Sequence, residues 1–250
     1  MSDPRESKFG YTVIHQPNFF PRLKVLQKIA NAKVWMVLDD VQYSPQEWQN
    51  RARITPTDIV YRSFWLTMPV SRPHGQQTLI SEVKLINPNP KKIYNTLYQA
   101  YHQAVNWPTI SELLDAIPRD SFESLTTLAT AIVQATASVL SLPLPKPVFT
   151  SKFNIQTTKT RRLIDLCLIG GNPHYLSGSG SVNYLDQHEM EAAGIKVYWQ
   201  KWVEPSLIQV TDPRLSSWRN VSFTDYLVRF EPKCLLDHLR DLHVVDSAEI

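Results

Sequence analysis

The sequence predicts an α/β fold: a mostly parallel sheet built from an N-terminal and a C-terminal βαβ unit, with a helical insert between them. Two patterns carry that expectation. Val34-Trp35-Met36-Val37-Leu38 is an unbroken apolar run, as a strand covered by helices on both faces should be. Beyond Pro147, β-rich and helix-periodic segments alternate, the order expected of crossover-connected parallel strands.

Taken in chain order, Tyr11 to Gln16 is a short run rich in β-formers and reads as the first strand. Leu23, Leu26, Ile29 and Ala30 recur at helical spacing, so Arg22 to Asn31 reads as a helix leading into Val34 to Leu38. The three make a right-handed βαβ opening. Tyr61 to Val70 and Ile80 to Ile86 are β-rich and flank the turn-prone Ser71-Arg72-Pro73-His74-Gly75, which predicts a hairpin. Helical periodicity follows over Pro90 to Trp107, Thr109 to Ile117 and Ser121 to Leu142, with Ser121 and Glu123 suited to start the last helix. Leu142-Pro143-Leu144-Pro145-Lys146-Pro147 is an extended connector, because each proline steers its predecessor away from helix. Then come strand Val148 to Phe153, helix Lys159 to Ile169, strand His174 to Ser177, helix Asp186 to Ala193 and strand Ile195 to Trp202. Helices over Ser222 to Phe230 and Lys233 to Leu242 are expected to cover an outer face. The organisation predicted is a polar tail (1–10) and a single domain (11–250). That domain comprises an N-terminal α/β unit (11–89), a helical insert (90–142) and a C-terminal α/β unit with helices (148–250).

Composition narrows the function. With 26 Lys+Arg against 23 Asp+Glu, the net charge of +3 is too mild for an electrostatic grip on nucleic acid. No apolar stretch of about 18 residues occurs, and Met1 to Lys8 is polar, so the expectation is a cytoplasmic protein without membrane insertion. Cys167 and Cys234 stand far apart without a CxxC pattern, which predicts no metal site. Cys167, inside Leu166-Cys167-Leu168-Ile169, reads as a core thiol. Only seven glycines occur, and four of them, Gly170, Gly171, Gly178 and Gly180, fall close together, marking that segment as a candidate site.

Ligands in parallel sheets collect beyond the carboxyl ends of strands. His15 ends the first strand and is a candidate general base, metal ligand or phosphate donor, or else a hydrogen-bonded loop histidine. Asp39 and Asp40 end the second and point to opposite faces if the strand geometry persists. One of them can then orient His15, bind an amine or hold a cation, and the other serves as a structural cap. Gln42, Trp48, Asn50 and Arg51 suit recognition of a small polar substrate, or form a self-satisfied loop. Ser177-Gly178-Ser179-Gly180 offers backbone N–H groups and hydroxyls to an anion, with Lys159 and Arg162 adding positive charge from one helix face; the alternative is a plain turn. The segment fits neither a P-loop nor a GxGxxG fingerprint.

Several of these residues also stand in longer motifs: His15-Gln16-Pro17-Asn18-Phe19-Phe20-Pro21, Leu38-Asp39-Asp40-Val41-Gln42-Tyr43, Trp48-Gln49-Asn50-Arg51, Tyr175-Leu176-Ser177-Gly178-Ser179-Gly180 and Tyr184-Leu185-Asp186. In these the chain resembles the WbqC-like family from about Tyr11 to Leu227. The resemblance implies a transferase role in surface polysaccharide, including O-antigen, or specialised metabolite biosynthesis, and it adds Gln16, Asn18, Tyr43 and Tyr184 to the substrate-binding set. A strand ending in His before a proline loop and helix is similar, more weakly, to the opening of Rossmann-like HxGH nucleotidyltransferases, although Pro17 and Asn18 replace that signature. The leading expectation is transfer of an acyl, aminoacyl or related group onto an amino or hydroxyl acceptor. The small-molecule substrate is expected to be nucleotide-linked or amino-acid derived. Nucleotidyl transfer or ATP-dependent ligation, and a non-catalytic ligand-binding accessory protein, stand as alternatives. No cofactor is specified.

Overall fold

A computed structural model describes residues 10–57, 62–178, 180, 185–205 and 220–246. The chain opens with β1 (Tyr11–His15), α1 (Leu23–Ala30) and β2 (Ala32–Val37), followed by short strands β3 (Arg51–Ile54), β4 (Phe64–Thr67), β5 (Val70–Ser71) and β6 (Lys84–Leu85). The insert holds α2 (Pro90–Tyr101), α3 (Trp107–Asp115) and α4 (Leu125–Val139). Then come β7 (Pro147–Phe149), α5 (Lys159–Gly170), β8 (His174–Ser177), α6 (Gln187–Ala192), β9 (Lys196–Gln200), α7 (Phe223–Leu227), α8 (Pro232–Arg240) and β10 (Val244–Asp246).

The fold is mixed α/β around a mostly parallel six-stranded sheet, in the order β10-β9-β8-β1-β2-β7. Strands β9, β8, β1, β2 and β7 run parallel, and β10 closes the β9 edge antiparallel. Numbered by their place in the chain, the five parallel strands stand in the order third, second, first, fourth, fifth. That is the Rossmann-type order, which reverses between β1 and β8 and opens a crevice at their carboxyl ends.

Side-chain alternation explains the layers. Val13, Trp35 and Val37 pack into one core with Leu26 and Ile29 of α1. Their neighbours Ile14 and Met36 pack into the other with Ile164 and Cys167 of α5. Successive strand residues face opposite sides, so one apolar run feeds two cores. Helix α5 ends close against β2: a Cβ built on Gly170 would sit 3.1 Å from both Met36 Cε and Val34 Cγ1. Gly171, at φ 64, then takes the left-handed position that stops the helix.

Three readings of the sequence need correction. The hairpin expected between 61–70 and 80–86 shrinks to β5 and β6, paired over two residues each, and Tyr61 lies outside the described residues. Phe64–Thr67 pairs instead with β3, which the sequence analysis left as a loop. The last insert helix begins at Leu125, capped by Ser124, whose side chain accepts from Thr127 N–H at 3.2 Å, while Ser121 sits in a 3₁₀ turn before it.

Candidate functional site

At the crevice between β1 and β8 lies a cavity of about 490 Å³. His15 and Gln16 reach it from the end of β1, Ser177, Gly178 and Gly180 from the end of β8, and Lys159, Arg162 and Leu163 from the start of α5. Helix α1 adds Lys24 and Lys28, with Arg22 just before it. The walls thus carry five Lys or Arg side chains and no carboxylate among the described residues. Ser179 and Tyr184, named from sequence, lie outside the described residues.

His15 is held in one form. Its Nδ1 stands 2.7 Å from the Gln16 carbonyl, so in a neutral ring the proton sits on Nδ1 and donates there, leaving Nε2 as the acceptor. Burial, and then the nearby Lys28, Arg22 and Lys24 charges, push its pKa down to about 3. His15 is therefore a neutral imidazole and a weak base. Behind the ring a second cavity, of about 10 Å³, is bordered by Asn18, Val25, Ile29 and Trp35.

The two aspartates are turned elsewhere. Asp39, buried, accepts from the Ser151 N–H (2.9 Å) and hydroxyl (2.8 Å) and so ties the end of β2 to the turn after β7. Asp40 accepts from the Thr150 hydroxyl and pairs with Arg162. Among the described residues neither carboxylate bonds to His15. The reason is strand order: β2 lies one strand beyond the switch point, next to β7. Arg162 lines the cavity, yet its guanidinium is engaged by Asp40 and the Ile155 and Thr157 carbonyls (3.2 and 3.1 Å).

The Trp48 to Arg51 loop serves as a latch for the loop after β1. Phe19 N–H donates to the Trp48 and Gln49 carbonyls (3.0 and 3.2 Å), and Gln49 donates to the Gln16 side chain at 2.8 Å. Asn50, buried, donates to the Met68 carbonyl and joins the loop to β4. Arg51 stacks on Trp65 at 4.1 Å and donates to the Gln46 carbonyl, while Trp48 meets Trp65 edge-on. Phe20 has φ 43, uncommon for an aromatic residue, and is locked by the Phe19 and Phe223 rings. Tyr43 packs in a small core with Ile80, Val83 and Leu125, and Gln42, exposed, donates to the Gln76 carbonyl. None of Gln42, Tyr43, Trp48, Asn50 and Arg51 lines the large cavity.

The glycine-rich segment splits in two. Gly170 packs on β2 at the end of α5, and Gly171 is the left-handed residue that stops the helix. Gly178 and Gly180 face the cavity, and neither has a positive φ. What Gly178 supplies is room, since a Cβ there would lie 3.4 Å from Lys28 Nζ. Cys167 is buried in the α5 core, and burial pushes its thiol up to about 12; Cys234 is exposed on α8. Among the described residues no group of three His, Cys, Asp or Glu side chains gathers as metal ligands would, and no helix is long and apolar enough to cross a membrane.

Sequence reasoning missed Arg22, Lys24 and Lys28, of which Lys28 is the one set deepest. It is 7% exposed and lines the cavity. Burial, with Lys24 and Arg22 beside it, pushes its pKa down to about 8. A signal was present: residues 9–38 contain Arg22, Lys24, Lys28 and Lys33 but no Asp or Glu, and residues 124–164 are likewise free of acids.

Comparison with known proteins agrees with the extent of the motifs. An uncharacterised protein of Mycobacterium tuberculosis (strain ATCC 25618 / H37Rv), Rv1507c, is 25% identical over 188 residues, covering 74% of this chain and 80% of the relative. No solved structure matches the chain. The model of the WbqC-like protein family matches residues 16–234, from the His15 loop through α7 and into α8, and the chain is a member of that family.

Proposed function

We propose that the protein is a small-molecule transferase that binds an anionic substrate in the switch-point cavity and moves an acyl, aminoacyl or related group onto an amino or hydroxyl acceptor. Surface polysaccharide or specialised metabolite biosynthesis is the proposed setting. The observation that carries this reading is the concentration of Arg22, Lys24, Lys28, Lys159 and Arg162 with His15 around one cavity that no carboxylate lines among the described residues. Such a cavity attracts negative charge and steers it to the ends of β1 and β8. In this reading His15 Nε2 accepts the hydrogen bond of the acceptor group. Burial and the neighbouring cations together hold the imidazole neutral; a bound anion offsets the cations' share and so raises its basicity when substrate is present. Gly178, Gly180 and Lys159 hold the anionic portion, and Asp40 positions Arg162.

The test is product detection by mass spectrometry with panels of acyl donors and nucleotide-sugar or amine acceptors. His15→Ala should remove turnover, by about 10² to 10⁴ in rate, without lowering thermal stability. Undiminished turnover in that variant would return His15 to a structural role. A second reading, nucleotidyl transfer or ATP-dependent ligation, is favoured by one feature: the 3-2-1-4-5 strand order with a histidine ending the first strand. It requires ATP and Mg²⁺ to bind together, which calorimetry with and without Mg²⁺ distinguishes.

A further inference from the structure

We propose that the ligand of the switch-point cavity carries a diphosphate, anchored by Lys28 on one wall and by the first turn of α5 on the other. This rests on the transferase reading only for the location of the ligand. Two local arrangements, each unfavourable by itself, point to it independently.

The first is Lys28 itself. A lysine that is 7% exposed ordinarily has a carboxylate partner. Among the described residues the Lys28 ammonium makes no hydrogen bond or ion pair, and the charges acting on it are Lys24 and Arg22, both cations. Those two have acids near them, Glu204 for Lys24 and Glu47 for Arg22. Lys28 has its ammonium against the backbone at Gly178, inside the cavity.

The second is the start of α5, a 12-residue helix. Its first turn places Lys159, Arg161 and Arg162 at the end where the backbone dipole is positive, with no acid there and no side-chain cap from Thr158. Lys159 also has φ 50, a left-handed conformation that costs a non-glycine residue about 1–3 kcal/mol when the surroundings impose it. Asp165 answers Arg161, and Asp40 answers Arg162. Lys159 is left lining the cavity. An anion relieves both arrangements at once.

The class of anion follows from the count of anchors. One carboxylate brings one charge on one short group, enough for Lys28 or for α5. A diphosphate brings two or more charges on linked phosphoryl groups, so that it meets two walls. A cavity of about 490 Å³ leaves room for the group it is attached to. Lysines and arginines, and no carboxylate among the described residues, line the site, so binding should not need a divalent cation.

The experiment is isothermal titration of the full chain, in EDTA, with inorganic pyrophosphate, ADP, UDP, inorganic phosphate and acetate. It is run at pH 8 in two buffers of different ionisation enthalpy. Diphosphates should bind at least tenfold more tightly than acetate or phosphate. Each binding event should take up about half a proton, because Lys28, near half-protonated at pH 8, becomes fully charged beside the anion. Lys28→Met should lose at least tenfold in affinity and lose the proton uptake; Lys28→Arg should keep affinity and lose the uptake. Tighter binding of UDP or ADP than of pyrophosphate assigns the diphosphate to a nucleotide, and equal binding assigns recognition to the diphosphate alone. Diphosphates binding no better than acetate, or a Lys28→Arg protein that still takes up the proton, would overturn the proposal. Tight diphosphate binding without any transfer product would refute the transferase reading and leave this one standing.

Discussion

Removing the charge at Lys28 should make the ligand-free protein more stable. Burial and cationic neighbours bring its pKa from 10.5 to about 8. At ~1.4 kcal/mol for each tenfold in proton affinity, keeping the ammonium charged in the fold costs about 3 kcal/mol. Methionine retains most of the aliphatic stem that packs along α1 and leaves no polar atom behind. For a chain of this length, about 3 kcal/mol corresponds to a rise in Tm of ~5–10 °C. The pH dependence has a definite sign. The folded state binds fewer protons at Lys28 than the unfolded state between pH 8 and 10.5, so the wild type gains stability as pH rises through that window. The advantage of Lys28→Met should therefore be complete below pH 8 and vanish by about pH 10.5. Thermal unfolding followed by circular dichroism at pH 7 and pH 10 reads both effects. Because most substitutions at buried positions destabilise, a Lys28→Met protein no more stable than wild type at pH 7, or equally favoured at both pH values, would refute the electrostatic argument.

Further outcomes follow from the packing. Gly170→Val should cost about 1–3 kcal/mol, read as a lower urea midpoint, because its Cβ meets Met36 and Val34 at 3.1 Å while the cavity is untouched. Asp39→Ala should lower stability by about 1–3 kcal/mol by leaving the Ser151 N–H without its acceptor. Ligand affinity in that variant, measured by calorimetry well below its Tm, should stay as in the wild type. Burial raises Asp225 from 3.8 to about 7 despite its ion pair with Arg229 at 3.1 Å. The folded state then holds this proton more tightly than the unfolded state, and its contribution to stability falls as pH rises from about 4 to 7. Urea melts across that range should show a slope in the wild type that Asp225→Asn flattens, and identical slopes would exclude this role.

The parallel sheet was legible because β1 and β2 are apolar on both faces and need no knowledge of their neighbours to be read as buried strands. Strand β4 was not recognised as the partner of β3: of Phe64 to Thr67 only Leu66 is buried, so no alternation marks the pairing. Strand β10, three residues long, exists because β9 offers it an edge, a tertiary cause with no periodic trace. The same distinction separates the aspartates from His15. All three follow apolar runs in sequence, and rules about strand ends treat them alike. Only the spatial order decides that β1 borders the switch point and β2 does not, which sends Asp39 to Ser151 and Asp40 to Arg162.

Charge gives the clearest case of information present in the sequence and lost by averaging. A net charge of +3 argues against a broad electrostatic surface, but a field is local, and a cleft focuses whatever charge its walls carry. Here all five Lys and Arg residues of the walls come from two stretches without a single acid, 9–38 and 124–164, which the topology brings to one cavity. Neither stretch is arranged as stability alone would arrange it: one buries Lys28 among cations, and the other starts a helix with Lys159, Arg161 and Arg162 at its positive end. In a consistent fold such local violations are rare and are retained where function requires them. Two violations of the same sign, distant in sequence and facing one cavity, argue for the proposed anion site more sharply than either the glycine loop or the histidine does alone.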